Sequence, residues 1–187
     1  TLAHGVAGPL NADIALNQYG EFEQLLVTSE GNPASLTIEP FEGKYRYGFE
    51  AQGWNIPHAE GLRFSSLTVN GIGNSEGIDI NDIRGVLYGG TMTGTGRLFF
   101  DGQWRFLAKA RFNNLQSEPL TASLSPATNV SGSFSAEASM VASGRNLDDL
   151  PAKPQLQAKI KVREGSVNNF DLITAIRYNN PGGNGLR

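Results

Sequence analysis

Fourteen consecutive residues, Val130–Ser143, alternate between apolar or small side chains and mostly polar ones. Phe134, Ala136 and Met140 belong to the first set, and serines dominate the second. Side chains of an extended strand point alternately to its two faces, so a period of two predicts a β-strand with one apolar face. Most strands contain only about 5–6 residues. The length of this one predicts a broad sheet, and what covers its apolar face becomes the question of function.

The composition bounds the class of protein. The chain has 187 residues, enough for one sizeable domain or two small ones. Its 15 basic and 18 acidic residues give a net charge of −3, which argues against nucleic acid as a partner because phosphate binding needs surplus positive charge. The absence of cysteine excludes disulfides and thiolate metal sites. Because the chain begins with Thr1, we expect a piece of a longer protein or a processed chain.

The same alternation recurs along the chain. It is clearest in Tyr45–Ala51, Trp104–Phe112 and Leu156–Val162, and around ten strand candidates follow one another at short spacing. Tight connections favour antiparallel neighbours. The sequence therefore predicts a mostly β protein: a long curved antiparallel sheet with a one-sided apolar face, and one or two short helices late in the chain.

Glycines and prolines predict where the strands end. Breaks or turns are expected at Gly53–Pro57, Gly89–Gly90, Asp101–Gly102 and Glu164–Gly165, with a bulge at Gly85. A short strand is predicted at Leu120–Leu124, one helical turn at Arg145–Leu150, and a helix around Phe170–Ile176.

Basic residues constrain the order of three strands. Arg105, Lys109 and Arg111 share one face of their strand, and so do Lys159, Lys161 and Arg163. Like charges directly opposite each other on paired strands are unfavourable. We therefore expect the serine-rich strand, with its single Glu137, to lie between them, in the order 104–112, 130–143, 155–163. We expect the two basic rows to lie on a solvated outer face of the sheet. The alternative is that they form a surface that binds anionic lipid head groups or another acidic partner.

The sequence contains no convincing catalytic motif. Gly73–Gly77 has the spacing of a nucleophile elbow, but the only histidines, His4 and His58, precede it, whereas that arrangement needs a later histidine. No calcium, nucleotide or metal motif is complete either. We expect a protein that is not an enzyme and that uses no cofactor or metal.

Several segments resemble the C-terminal region of the AsmA-like family. The resemblance spans residues 62–178 and rests on the order and spacing of five segments: Ile83–Gly96, Val130–Ser135, Gly144–Leu150, Ile160–Gly165 and Asn169–Leu172. Asn169 stands where the family usually has glycine, and the family's N-terminal membrane anchor has no counterpart here, as expected of a C-terminal fragment.

The resemblance implies a periplasmic domain of a Gram-negative bacterium, in a protein anchored to the inner membrane by a segment outside this sequence. Its relatives are linked to outer-membrane biogenesis and phospholipid transport, and they are similar to bridge-like lipid carriers. The implied organisation is an N-terminal β segment (1–60) continuous with an AsmA-like β region (61–180), followed by a flexible tail (181–187). Expected partners are a phospholipid or other amphiphile, the N-terminal part of the same chain and envelope proteins.

The predicted lipid-facing residues come from the three most regular strands. They are Trp104, Phe106, Phe134, Ala136, Ala138, Met140, Leu156, Ile160 and Val162. Two alternatives stay open: a carbohydrate-binding β module with Trp54 and Tyr45 as a stacking platform, and a structural or interaction domain that uses an exposed sheet edge. An ordinary closed core would also account for the nine residues.

Overall fold

Ten β-strands in chain order make up most of the described structure. The computed structural model describes residues 9–29, 33–55, 63–100, 102–118, 129–146, 149–150 and 154–168. The strands are β1 (Leu10–Leu16), β2 (Phe22–Ser29), β3 (Ala34–Phe41), β4 (Lys44–Asn55), β5 (Arg63–Gly73), β6 (Gly77–Leu87), β7 (Gly90–Phe99), β8 (Trp104–Gln116), β9 (Asn129–Gly144) and β10 (Gln155–Asn168). The prediction of a mostly β protein is confirmed.

All ten strands belong to one open, curved antiparallel sheet, and each pairs with the strand that follows it along the chain. β9 lies between β8 and β10, so the order predicted from the basic rows is confirmed. A two-residue turn at Tyr88 and Gly89, with φ values of 47° and 73°, joins β6 to β7. Positive φ at both positions matches the right-handed twist of the flanking strands.

At two glycine-containing segments predicted to interrupt strands, the strand continues past the glycine. β4 continues through Gly53, which has a φ of 59°, as far as Asn55. The backbone of Glu164 and Gly165 belongs to β10, and the register of β10 against β9 shifts there between Arg163 and Ser166. The turn predicted at Glu164–Gly165 was wrong, because pairing with β9 absorbs the distortion as a shift in register. β4 ends at Asn55, within the segment 53–57 where a break was predicted.

Gly85, predicted to form a bulge, keeps regular register, with Leu67 opposite it on one side and Met92 on the other. A different contact explains this glycine. A Cβ at position 85 would lie 2.6 Å from Cε1 of Phe64, so the ring occupies the space that any other side chain would need.

Helical structure is scarce in the described ranges. In the predicted turn at 145–150, Asn146 Oδ1 accepts a hydrogen bond from the N–H of Asp149 at 3.0 Å, and Asp149 Oδ2 accepts one from the N–H of Arg145 at 3.0 Å. Asp149 and Leu150 have 3₁₀ geometry. The predictions for Leu120–Leu124, Phe170–Ile176 and the tail 181–187 lie outside the described residues.

One face of the sheet, called the apolar face below, collects the alternating apolar side chains. Its side chains lie in register across β4–β9 and include Phe49, Leu67, Ile83, Met92, Phe112 and Ala136. The core lies on its central part, where Phe64, Leu67, Leu87, Met92 and Leu115 form one buried cluster. Phe64 and Leu87 are 1% and 0% exposed. The opposite side of the sheet is called the polar face.

Candidate functional site

The nine predicted lipid-facing residues all lie on the apolar face of β8, β9 and β10. Their side chains form rows across the sheet because directly opposed residues of antiparallel strands point the same way. The rows are Phe106 with Ala142, Ala108 with Met140 and Leu156, Ala110 with Ala138 and Ala158, Phe112 with Ala136 and Ile160, and Leu115 with Phe134 and Val162. Trp104 lies opposite Gly144 at the end of β8.

Exposure rises steeply along these rows towards β10. Ala136 on β9 is 8% exposed, whereas Leu156, Ile160 and Val162 on β10 are 65%, 63% and 64% exposed. The outer strand thus presents aliphatic side chains to solvent beside a packed apolar surface. We call Leu156, Ile160 and Val162 the β10 apolar strip.

The middle of the apolar face, by contrast, is covered by the protein's own side chains. Phe112 and Phe134 pack against the buried cluster, as do Phe49 and Trp54 from the other half of the sheet. The centre of the apolar face is therefore a closed core, whereas the apolar side chains at its β10 edge are exposed.

A second open strip lies on the far edge of the sheet, where no site was predicted from the sequence. Leu10, Ile14 and Leu16 of β1 are 50%, 67% and 58% exposed. Ile14 lies opposite Leu25 of β2, whose partner in β3 is Ile38, so these residues continue the apolar face. The alternation of Leu10, Ala12, Ile14 and Leu16 was the signal available in the sequence.

The polar face of β8–β10 carries the two basic rows. Across β9, Lys109 lies opposite Ser139, Arg111 opposite Glu137, and Glu137 opposite Lys159. The guanidinium of Arg111 donates to Glu137 Oε1, from Nη2 at 2.8 Å and from Nε at 3.2 Å. Glu137 thus separates basic residues that would otherwise repel one another.

A groove of about 850 Å³ lies on this polar face. The residues that line it include Asp82, Thr95, Lys109, Arg111, Glu137 and Lys159. Its lining combines charged and hydroxyl side chains with Ala110, Ala138 and Ala158, and the charged groups lie on the side of the sheet opposite the β10 apolar strip.

Three described carboxylates of the polar face form ion pairs, and Glu137 with Arg111 is one of them. Asp79 pairs with Arg97 and Asp82 with Arg84, each at 3.0 Å. Within the described strands, no group of three His, Cys, Asp or Glu side chains is placed to hold a metal ion. His4 and His58 lie outside the described residues.

Gly73–Gly77, the segment with nucleophile-elbow spacing, joins β5 to β6 as a hairpin turn. The N–H of Asn74 donates to the carbonyl oxygen of Gly77 at 2.9 Å, and Asn74 Oδ1 accepts from the N–H of Glu76 at 3.0 Å. The turn leads from one antiparallel strand to the next, whereas a nucleophile elbow leads from a strand into a helix.

Trp54 and Tyr45, the predicted carbohydrate-stacking pair, lie near opposite ends of β4. Nine residues at roughly 3.3 Å each place them about 30 Å apart. Trp54 packs edge-on against Phe49 with ring centroids 5.2 Å apart, and Tyr45 packs edge-on against Phe22 at 6.2 Å. The structure does not bring the two rings together.

Tyr47 lies between Tyr45 and Trp54 along β4. Burial raises the pKa of its phenol, with a smaller contribution from Tyr45.

No helix in the ranges that the structure describes is long and apolar enough to span a membrane.

Comparisons with known proteins add no function to this geometry: no protein-family model matches the chain, and neither a curated protein nor a solved structure does.

Proposed function

We propose that this chain is a non-enzymatic envelope domain that holds the hydrocarbon part of an amphiphile, with a phospholipid as the first candidate, against the apolar face beside β10. The observation that carries the proposal is the β10 apolar strip: three aliphatic side chains, each about two-thirds exposed, in register with the packed apolar rows of β8 and β9.

Contact with an acyl chain would stabilise such a complex without specific polar contacts. Full burial of a Val, Leu or Ile side chain contributes about 1.5–3 kcal/mol. Covering the exposed two-thirds of three such side chains would therefore contribute roughly 3–6 kcal/mol before the entropic cost of association. This is enough to change affinity by about two to four orders of magnitude.

The wider setting of the proposal comes from the AsmA-like resemblance of residues 62–178. We infer a periplasmic location, in a protein anchored to the inner membrane by a segment outside this sequence, and a role in outer-membrane biogenesis or phospholipid transport. A site of this kind needs no cofactor, metal or catalytic group. The remainder of the protein and other envelope proteins would be its macromolecular partners.

The test compares matched serine variants on the two faces of the sheet. One variant replaces Leu156, Ile160 and Val162 with serine. The control replaces Val86, Leu107 and Val141, which are 41%, 40% and 43% exposed on the polar face. Both sets are exposed, so neither should unfold the chain, and far-ultraviolet circular dichroism verifies this.

Binding is measured with a phospholipid that carries a fluorophore on its acyl chain, and native mass spectrometry detects any lipid that co-purifies. We expect the β10 variant to bind the probe at least about tenfold more weakly than wild type, and the control to bind within about twofold of wild type. Equal loss in both variants, or a wild-type chain that binds no probe and carries no lipid, refutes the proposal.

A further inference from the structure

The two outer strands of the sheet each present an edge without a described partner strand. Among the described strands, β1 pairs with β2 alone and β10 with β9 alone. The outward-facing N–H and C=O groups of such an edge are a template for pairing with another strand.

The side chains of β10 define what kind of strand fits its edge. The β10 apolar strip lies on one face, and Lys159, Lys161 and Arg163 lie on the other. A partner must therefore alternate apolar residues with acidic or uncharged ones, since cross-strand pairs of like charge are unfavourable.

β1 of the same protein has this alternation. Leu10, Ala12, Ile14 and Leu16 lie on the apolar face, and Asp13 lies on the polar face. Charge is also distributed unevenly along the sequence. Residues 1–62 contain 8 acidic and 2 basic residues, whereas residues 63–187 contain 10 acidic and 13 basic ones. Within the described strands, β1–β4 carry 4 acidic and 2 basic residues and β5–β10 carry 4 acidic and 9 basic ones, so the two ends of the sheet differ in charge.

We propose that the β10 edge of one copy of the chain pairs, antiparallel, with the β1 edge of a second copy. Among the registers that match both faces, the one that aligns Leu10–Leu16 with the whole of Leu156–Val162 places Leu156 opposite Leu16, Lys159 opposite Asp13 and Ile160 opposite Ala12. Ala158 then meets Ile14, so a small side chain faces a large one at both central apolar positions of the seam. The apolar faces of the two copies become continuous across it.

Charge disfavours the symmetric alternative. Pairing β10 with β10 of the second copy would bring the Lys159, Lys161 and Arg163 rows of both chains together. The contact between β10 and β1 is instead heterologous, with different surfaces on the two copies, and it leaves one outer edge open at each end. Larger assemblies therefore form as the protein concentration rises.

Engineered cysteines test the register directly, since the chain has no cysteine of its own. Asp13→Cys and Lys159→Cys variants of the 187-residue chain are mixed and oxidised. The control mixture pairs Asp13→Cys with Lys109→Cys, because Lys109 shares the polar face of Lys159 but lies on β8, away from the edge. Neither mixture contains lipid, so failure of the proposed lipid role would leave the result unaffected.

We expect a disulfide-linked heterodimer with a 13–159 bridge, identified by peptide mass spectrometry, at a yield at least about fivefold above the control mixture. A yield equal to that of the control overturns the proposal. So does a mixture dominated by Lys159→Cys homodimers, which would show the symmetric arrangement.

A charge exchange provides the second measurement. Lys159→Glu and Asp13→Lys should each weaken association by about three- to tenfold in sedimentation velocity, and the double variant should restore it to within about twofold of wild type. Lys159→Glu also places two carboxylates opposite each other at Glu137, so the urea midpoint of each variant is measured alongside. Within one chain, positions 13 and 159 lie at opposite ends of the sheet, on β1 and β10. Restored association in the double variant therefore reports a contact between two copies. Additive weakening in the double variant overturns the proposal.

Discussion

Replacement of Gly85 by alanine tests the packing at the centre of the apolar face. The added Cβ would lie 2.6 Å and 2.7 Å from Cε1 and Cδ1 of Phe64, and 3.5 Å from Cε of Met92. Carbon atoms pack without strain at about 3.5–4.0 Å, so the ring must retreat by roughly 1 Å. Phe64 is 1% exposed and belongs to the buried cluster, so no free space receives it.

The magnitude follows from two opposing effects. Forcing an extra carbon into a packed core costs about 1–3 kcal/mol. Alanine also restricts the unfolded chain, which returns about 0.4–1 kcal/mol. We therefore expect Gly85→Ala to lower the free energy of unfolding by about 1–2 kcal/mol.

Gly48→Ala is the matched control. Gly48 also lies within a strand, and among the described residues its added Cβ would meet, within 4 Å, Asn70 Oδ1 alone, at 3.7 Å. This substitution should be neutral or stabilise the protein by up to about 1 kcal/mol.

Urea denaturation measures both variants, because a change in midpoint at constant slope reports stability alone. Phe64→Leu in the Gly85→Ala background should cost less than the two single changes added together, since the smaller side chain makes room for the Cβ. Equal midpoints for Gly85→Ala and Gly48→Ala, or strict additivity with Phe64→Leu, would refute the placement of the Phe64 ring.

Three further predictions follow from other contacts. Leu87→Ala should lower the free energy of unfolding by about 2–5 kcal/mol in the same urea assay, because the side chain is 0% exposed and leaves a cavity; a loss under about 1 kcal/mol would contradict this. Arg111→Ala should cost under about 1 kcal/mol, and less still in 1 M salt, because the Arg111 and Glu137 side chains are 65% and 62% exposed; a larger, salt-independent loss would argue against the observed pair. The raised pKa of Tyr47 means that the folded chain holds this proton to a higher pH than the unfolded chain, so the contribution is complete below the unfolded-state pKa and is lost as pH rises through the folded-state pKa. The urea midpoint of wild type should therefore fall more steeply above about pH 10 than that of Tyr47→Phe, and parallel curves would contradict the shift.

The strands and their faces could be predicted because alternation is a local property. The run Val130–Ser143 coincides closely with β9, and Trp104–Phe112 and Leu156–Val162 lie within β8 and β10. The order of these three strands was also predictable, since two basic rows separated by a serine-rich strand with one glutamate repel each other less than adjacent rows would.

Glycine was the least reliable guide. Gly53 and Gly165 lie within strands, although each resembles a break when read along the chain alone. A glycine permits a turn, an irregular register or the close approach of another group, and the neighbouring strand selects among them. At Gly85 the deciding neighbour is a phenyl ring 21 positions away in the sequence.

The sequence by itself determined that this chain forms strands with one apolar side, because the alternation of side chains between two faces depends only on extended backbone geometry. Only the tertiary structure decided which part of that side is exposed. Burial depends on which strands pack against one another. The same alternation therefore produces a sealed cluster around Leu87 in the centre and exposed leucine, isoleucine and valine on the outer strands. An outer strand has a neighbour on one side alone, so its apolar residues are the ones left for another molecule to cover.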